Sequence, residues 1–264
     1  MKEITCEIIG SILIIREQID QLKIKEFAKT VLKKKSNIKT VVLQTSKTKG
    51  FERVRELKHI AGIKTFETIY KEYGNAYTVD ISTTFFSPRL SYERQRIAKM
   101  VKEREVILNF FSGVGPFSIS IAKNCEECII HSIELNKNAY KHLLSNIVIN
   151  KCVNKVKAYL GDAFSIVPML FYNKVDRVLL PLPLEAEKSL PIAYRALRDG
   201  KGIIHWQITE RRNNHETNNH DIKNRIIEIL NENEIKTNFQ IEEVRIIRWL
   251  APRVAHKAID ISFK

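Results

Sequence analysis

The stretch Val106-Ile107-Leu108-Asn109-Phe110-Phe111-Ser112-Gly113-Val114-Gly115-Pro116-Phe117-Ser118-Ile119 constrains the fold of this chain more than any other. Val106 to Phe111 is a short apolar run bounded on its far side by turn residues, which predicts a buried strand. Ser112 to Gly115 predicts the turn itself. Pro116 is well tolerated in a first helical turn, and Phe117, Ile119, Ile121 and Ala122 continue the apolar pattern as a helix. Such a strand, glycine turn and helix let a ligand approach bare backbone, and the amides at the helix start favour negative or acceptor groups. A glycine pair is equally at home in an ordinary turn, so the unit needs support from elsewhere.

Three further strand ends supply it. Cys128 to Ile133 is a second apolar run, ending in Glu134-Leu135-Asn136. In a doubly wound sheet a carboxylate there lies beside the glycine turn, where it can accept hydrogen bonds from both hydroxyls of a ribose. An acid about 20 residues after the glycines is the usual partner of a nucleoside-type cofactor. Val156 to Leu160 ends in Gly161-Asp162-Ala163, a second acid at the same edge, suited to the exocyclic amine of an adenine. Val175 to Leu180 ends in Pro181-Leu182-Pro183. The alternation of strands and helices predicts an α/β sheet.

At 264 residues and 44% hydrophobic content, the chain suits one large domain, or a large and a small one. It has no uninterrupted apolar run of membrane-spanning length and no charged start leading into an apolar signal core, so it is read as soluble and cytoplasmic. Lys and Arg number 44 against 30 Asp and Glu, a net +14 that favours a polyanionic partner. A generally lysine-rich composition gives the same count. No basic amphipathic anchor stands out, so RNA is expected rather than a membrane. The cysteines, Cys6, Cys125, Cys128 and Cys152, are too few and scattered for a disulfide framework. Cys125-Glu126-Glu127-Cys128 has ligand-like spacing but no second pair, and it is read as structural, with no metal expected.

Residues 1–95 read as a smaller α+β domain and 96–264 as the sheet-bearing one. Ile4 to Ile15 is strand-like on both sides of Gly10, Leu22 to Leu32 has helical spacing ending in Lys33-Lys34-Lys35, and Thr40 to Gln44 is a short strand. The lysines are favourable against the helix dipole, with a phosphate contact as the alternative. A loop, Lys47 to Gly50, delivers Arg53-Val54-Arg55. Arginine there can present a planar fork to guanine O6 and N7, or can pair with Glu52 or Glu56. Ile69 to Ile81 predicts a hairpin turning at Tyr73-Gly74-Asn75, with Tyr77, Val79 and Ile81 alternating. Glu93 falls in the first turn of a helix beginning near Ser91, a position that by itself needs only the helix dipole to explain an acid.

Toward the C-terminus, Leu190 to Leu197 and Ile222 to Leu230 predict helices. Ile203 to Gln207, Ile241 to Ile247 and Ala258 to Phe263 predict strands. Glu210 to Asn219 reads as an exposed loop, with His215 and His220 as surface residues.

The order of glycine turn, Glu134, Gly161-Asp162 and a proline-containing fourth motif resembles the class I methyltransferases that use S-adenosylmethionine. With Phe51-Glu52-Arg53-Val54-Arg55-Glu56-Leu57, Phe85-Phe86-Ser87-Pro88-Arg89-Leu90 and Glu93-Arg94, the chain resembles the archaeal and eukaryotic tRNA (guanine-37 N1)-methyltransferase family over almost its whole length. Trp249 to Arg253 resembles that family's loop before the last strand. The close relatives of the family include wyosine-pathway enzymes acting on the same nucleotide.

The resemblance implies a Rossmann-like catalytic domain with a small RNA-recognition domain, S-adenosylmethionine as cofactor, the anticodon loop of tRNA as partner, and a monomer. It implies that Arg53 contacts the target guanine and that Glu93 removes the guanine N1 proton. Neutral N1 carries a hydrogen and is a poor nucleophile, so a carboxylate must take that proton as transfer proceeds. It places Arg94, Phe85, Phe111, Gly113, Gly115, Glu134, Leu135, Asp162, Ala163 and Pro181 around the cofactor.

The chain departs from the pattern in three places. Asn109 stands where such enzymes usually have an acid, which implies weaker cofactor binding. Pro181 stands where the family usually has asparagine, which bears on the choice of target atom. The additional N-terminal domain of longer members is not found, so RNA is expected to be held by the small domain and the basic surface.

Overall fold

The computed structural model describes residues 4–16, 20–46, 55–211 and 219–264. Arg53, the 47–50 loop and His215 lie outside the described residues. In the N-terminal part, β1 (Cys6–Ile9) and β2 (Ile12–Ile15) form a hairpin about Gly10. Helix α1 (Gln21–Lys34) follows, capped by Asp20, whose Oδ1 accepts from the Leu22 amide at 2.9 Å. Its buried face of Ile24, Ala28 and Val31 packs on Leu13, Ile15 and Val41. Strand β3 (Thr40–Gln44) pairs parallel with β2, and β4 (Leu57–Gly62) pairs antiparallel with β3. A second hairpin, β5 (Glu67–Glu72) and β6 (Asn75–Asp80), turns at Tyr73 and Gly74, whose φ values of 45° and 78° suit a tight hairpin turn.

After α2 (Ser91–Met100), strands alternate with helices. They run β7 (Val106–Asn109), α3 (Pro116–Asn124), β8 (Ile129–Glu134), α4 (Lys137–Ile149), β9 (Val156–Leu160), α5 (Ala163–Leu170), β10 (Arg177–Leu180), α6 (Ala186–Ala196), β11 (Gly202–Arg211) and α7 (Asn219–Glu232). Strands β12 (Phe239–Ala251) and β13 (Val254–Phe263) close the sheet, whose order is β12-β13-β11-β10-β7-β8-β9. Neighbours from β11 to β9 pair parallel, while β13 runs antiparallel to both β11 and β12. Chain direction across the sheet reverses between β7 and β10, which makes their C-terminal ends the topological switch point. The fold is the α/β sheet that the alternation of strands and helices predicts, in the Rossmann-like form that the resemblance implies.

Both faces of the central strands are covered, as a parallel sheet requires. Ile107 and Leu179 pack into the core on one face, with α3 and α4. Leu108, Val178 and Leu180 pack into the core on the other, with α5 and α6.

The β5–β6 hairpin docks on α4 through two asparagines one helical turn apart. Asn146 accepts from the Thr78 amide at 2.7 Å and donates to its carbonyl at 3.1 Å. Asn150 does the same for Ala76, at 3.0 and 2.7 Å. Each side-chain amide stands in for a neighbouring strand's peptide. Hydrogen bonding therefore ties 75–80 to the sheet-bearing half, although those residues precede 95 in the chain.

Two segments differ from the sequence expectation. Trp249 to Ala251 belong to β12, with the turn at Pro252 and Arg253, where Arg253 has φ 63°. Glu210 and Arg211 extend β11, paired with Ala255 and Val254. Strong pairing with β13 carries both past where a loop is expected, from polar composition at Glu210 and Arg211 and from the resemblance at Trp249 to Ala251.

Candidate active site

At the switch point the C-terminal ends of β7, β8, β9 and β10 surround a cavity of about 360 Å³. Glu134, the last residue of β8, anchors its near wall. Its Oε2 accepts from the Gly113 amide at 2.6 Å, and its Oε1 accepts from the Asn136 amide at 2.7 Å. Both oxygens are thus aimed by backbone. Asp162 caps α5 by accepting from the Phe164 amide through Oδ1 at 3.0 Å. Phe111 and Phe164 face each other at 6.2 Å between ring centroids, giving the cavity an aromatic wall.

The two glycines of the turn have separate work. Both take positive φ, 57° at Gly113 and 89° at Gly115. A Cβ on Gly115 would fall 2.5 Å from Leu143 Cδ1, so this glycine lets the turn pack on α4. A Cβ on Gly113 would meet nothing closer than the Phe85 carbonyl at 3.9 Å, and Gly113 lines the cavity.

Of the expected cofactor residues, the structure gathers Phe85, Phe111, Gly113, Glu134, Leu135, Asp162, Ala163 and Pro181 around this cavity. Gly115 and Arg94 are not among its lining residues. Arg94 is 1% exposed and turns toward β5, donating from Nε and Nη2 to the two Glu72 oxygens at 2.6 and 2.5 Å and from Nη1 to the Ser87 carbonyl at 3.2 Å. A buried guanidinium takes the carboxylate that can meet its fork, and Glu72 does so. Asn136, Phe164 and Glu185 also line the cavity, beyond the residues that the resemblance places there. Asn136 carries a legible signal, since it caps α4 through Oδ1, and its Nδ2 donates to the Thr83 carbonyl at 2.9 Å. Glu185, 8% exposed, lies in a short 3₁₀ turn and has no such signal.

Asn109 is fully buried. Its Nδ2 donates to Ser118 Oγ at 3.1 Å, while Oδ1 has no hydrogen-bond partner among the described residues. Asn109 is not among the residues lining the cavity.

Glu93 is 2% exposed but lies outside the cavity lining. Arg96, one helical turn on, donates to it from Nη2 at 2.7 Å and from Nε at 3.0 Å, and Arg245 of β12 donates to Oε2 at 3.0 Å. The Arg245 guanidinium in turn stacks 4.7 Å over the exposed ring of Tyr92. Helix α2 follows Phe85 to Leu90 directly, so the segment that forms part of the cavity wall also carries Glu93.

Cys125 and Cys128 are buried, and burial pushes the Cys128 thiol up to about 12. No cluster with metal-ligand composition occurs among the described residues, and no helix among them is long and apolar enough to cross a membrane.

A sheet with its seventh strand antiparallel, a glycine turn after the first, and acids ending the second and third define a nucleoside-binding site of the class I methyltransferase kind. Residues 68–238 match the family described as the TRM5/TYW2 methyltransferase domain, and the chain belongs to that family. It is 38% identical over 273 residues to tRNA (guanine(37)-N(1))-methyltransferase Trm5b of Pyrococcus abyssi, covering 97% of this chain and 74% of that protein. It is also 38% identical over 201 residues to tRNA 4-demethylwyosine(37)-methyltransferase Taw21 of Saccharolobus solfataricus, covering 75% of each. The solved complex of aTrm5 and tRNALeu superposes with a TM-score of 0.84 at 31% identity, over 99% of this chain and 72% of that one.

Proposed function

We propose that this chain transfers a methyl group from S-adenosylmethionine to N1 of guanosine 37 in tRNA. The observation that carries this reading is the Glu134 carboxylate, fixed between the Gly113 and Asn136 amides at the rim of an aromatic-walled cavity. The site fits the cofactor. Glu134 would accept from the ribose hydroxyls, Asp162 from the adenine amine, and Phe111 and Phe164 would flank the apolar part of the nucleoside. The open space at Gly113 leaves room for close approach.

S-adenosylmethionine supplies a methyl group already activated on a sulfonium, so the protein needs no covalent intermediate of its own. What remains for the chain is to orient guanine and to remove its N1 proton. Glu93 takes that proton and Arg53 holds the guanine edge. The anticodon loop binds across the small domain and the basic surface, and the enzyme works as a monomer in the cytoplasm.

The test is purified protein with labelled S-adenosylmethionine and unmodified tRNA carrying G at position 37, followed by nucleoside mass analysis. One-methylguanosine is the expected product. Glu93→Gln should lower kcat by about 10² to 10⁴-fold while calorimetric binding of the cofactor holds; turnover at the wild-type rate would remove Glu93 from the mechanism.

Pro181 supports a second reading. It lines the cavity at the position where the family usually carries asparagine. On that reading the substrate is a tricyclic wyosine intermediate at the same nucleotide, receiving a methyl or an aminocarboxypropyl group at C7. Product mass separates all three outcomes.

A further inference from the structure

Behind Glu93 a line of buried charged and polar side chains runs from helix α2 into the sheet, and the cavity makes no use of it. Arg96 meets three carboxylates with one planar group: the buried Glu93 and Asp260, and the half-exposed Glu243 at 2.9 Å from Nη1. One edge of its guanidinium, Nε and Nη2, faces Glu93. The other edge donates to Asp260 on β13, from Nη1 to Oδ2 at 2.5 Å and from Nη2 to Oδ1 at 3.1 Å. Because the guanidinium is rigid and planar, fixing the edge on Asp260 fixes the direction of the edge on Glu93.

Asp260 is itself fixed from behind. Its register partner on β11 is His205, whose Nδ1 lies 2.6 Å from Asp260 Oδ1. The other ring nitrogen, Nε2, lies 2.7 Å from Arg177 Nη1. An arginine only donates, so His205 Nε2 accepts and the ring proton must sit on Nδ1, pointing at Asp260. Arg177 is held in turn by Glu105, at 2.6 Å from Nε and 2.9 Å from Nη2, and by the Met100 carbonyl at 3.1 Å. Glu93, Asp260, His205 and Arg177 are each 2% exposed or less. Burying so many ionic groups is costly, and a hydrophobic cluster of similar volume is often as stable. Fixing the orientation of a carboxylate is something the hydrophobic cluster would not do.

We propose that Asp260 is a positioning residue for the methyl transfer: acting through Arg96, it sets the direction in which the Glu93 carboxylate faces the proton it removes. The inference rests on Glu93 being the base. Arg245, the second guanidinium on Glu93, lies on β12, stacks on exposed Tyr92 and reaches only the half-exposed Glu243, at 4.0 Å. Arg96 is therefore the partner that joins the base to the buried line of Asp260, His205 and Arg177.

The experiment is steady-state kinetics of Asp260→Asn, which keeps the shape and removes the charge that grips Arg96. The expected result is a fall in kcat on the order of 10 to 100-fold. KM for tRNA and the calorimetric Kd for S-adenosylmethionine should stay within about two-fold. A merely structural role would move binding and turnover together. Should Asp260→Asn fail to fold, Arg96→Lys keeps the charge but cannot span two carboxylates, and the same split is expected. In a Glu93→Gln background, Asp260→Asn should lower the residual rate no further, because residues acting as one unit are not additive. If Glu93→Gln is inactive while Asp260→Asn turns over within two-fold of wild type, the positioning role is overturned and the base stands. If Glu93→Gln turns over normally, both fall together.

Discussion

The cavity and the buried relay behind Glu93 lie in one sheet but are assembled differently. At the cavity Glu134 and Asp162 are fixed by backbone amides close to a strand end: Glu134 by Asn136, two residues on, and by Gly113, and Asp162 by Phe164. In the relay, the partners come from far apart, with Arg96 and Asp260 separated by 164 residues and Arg177 and Glu105 by 72. A site built from strand ends and caps keeps its geometry while neighbouring packing varies. A site built from long-range ion pairs exists only when the whole sheet is closed.

The sharpest way to break this comparison is Glu134→Ala. Losing the carboxylate removes the proposed ribose acceptor and frees the Gly113 amide, so binding of S-adenosylmethionine should weaken about 100-fold by calorimetry, with bonds to a charged group contributing about 1.5 to 3 kcal/mol each. Thermal stability should fall much less than affinity. A loss of stability as large as the loss of affinity would mean that the turn is as dependent on tertiary closure as the relay.

Next in size, the two glycines separate packing from ligand contact. Gly115→Ala should destabilise the fold by about 2 to 4 kcal/mol, since it combines positive φ with a clash against Leu143. Gly113→Ala carries only the conformational cost, about 1 kcal/mol. Chemical denaturation measures both, and equal losses would overturn the division of roles.

The relay should show itself in acid. Burial holds the His205 pKa below its ordinary value, only partly offset by the bond to Asp260. The unfolded chain therefore takes up a proton near pH 6.5 that the folded chain refuses, and stability falls as pH drops below that value. Burial opposes ionisation of Asp260, but hydrogen bonds from His205 and Arg96 outweigh it and hold its carboxyl well below the usual range. That contribution is present above the unfolded carboxylate pKa and is lost as pH falls below about 4. Denaturation midpoints of wild type and His205→Gln between pH 7 and 5 should differ in slope by at most about 1.4 kcal/mol per pH unit, one proton's worth, with the variant flatter. Parallel slopes would show that His205 does not titrate as its burial requires.

Much of this site is legible in the sequence, for identifiable reasons. The strand-end acids Glu134 and Asp162 and the turn at Gly113 follow from apolar runs broken by turn chemistry, which are local patterns. The same patterns carry the sheet and most helix positions. They stop short where pairing to a distant strand decides the outcome, as when β11 extends through Glu210 and Arg211, whose composition suggests a loop. They also stop short at α4, where Asn146 and Asn150 act as surrogate peptides for a hairpin about 70 residues earlier. Nothing in two asparagines at helical spacing announces that.

By itself, the sequence determined the order of strands, the glycine turn and the acids that end the strands, because periodicity and turn preference act over a few residues. Only the tertiary structure decided that Gly113 faces the cavity while Gly115 packs on Leu143, that Arg94 pairs with Glu72, and that Glu93 shares its oxygens between Arg96 and Arg245. Those outcomes depend on which way each side chain points and which opposite charge it meets once water is removed. A desolvated charge takes the partner that the closed fold brings within reach.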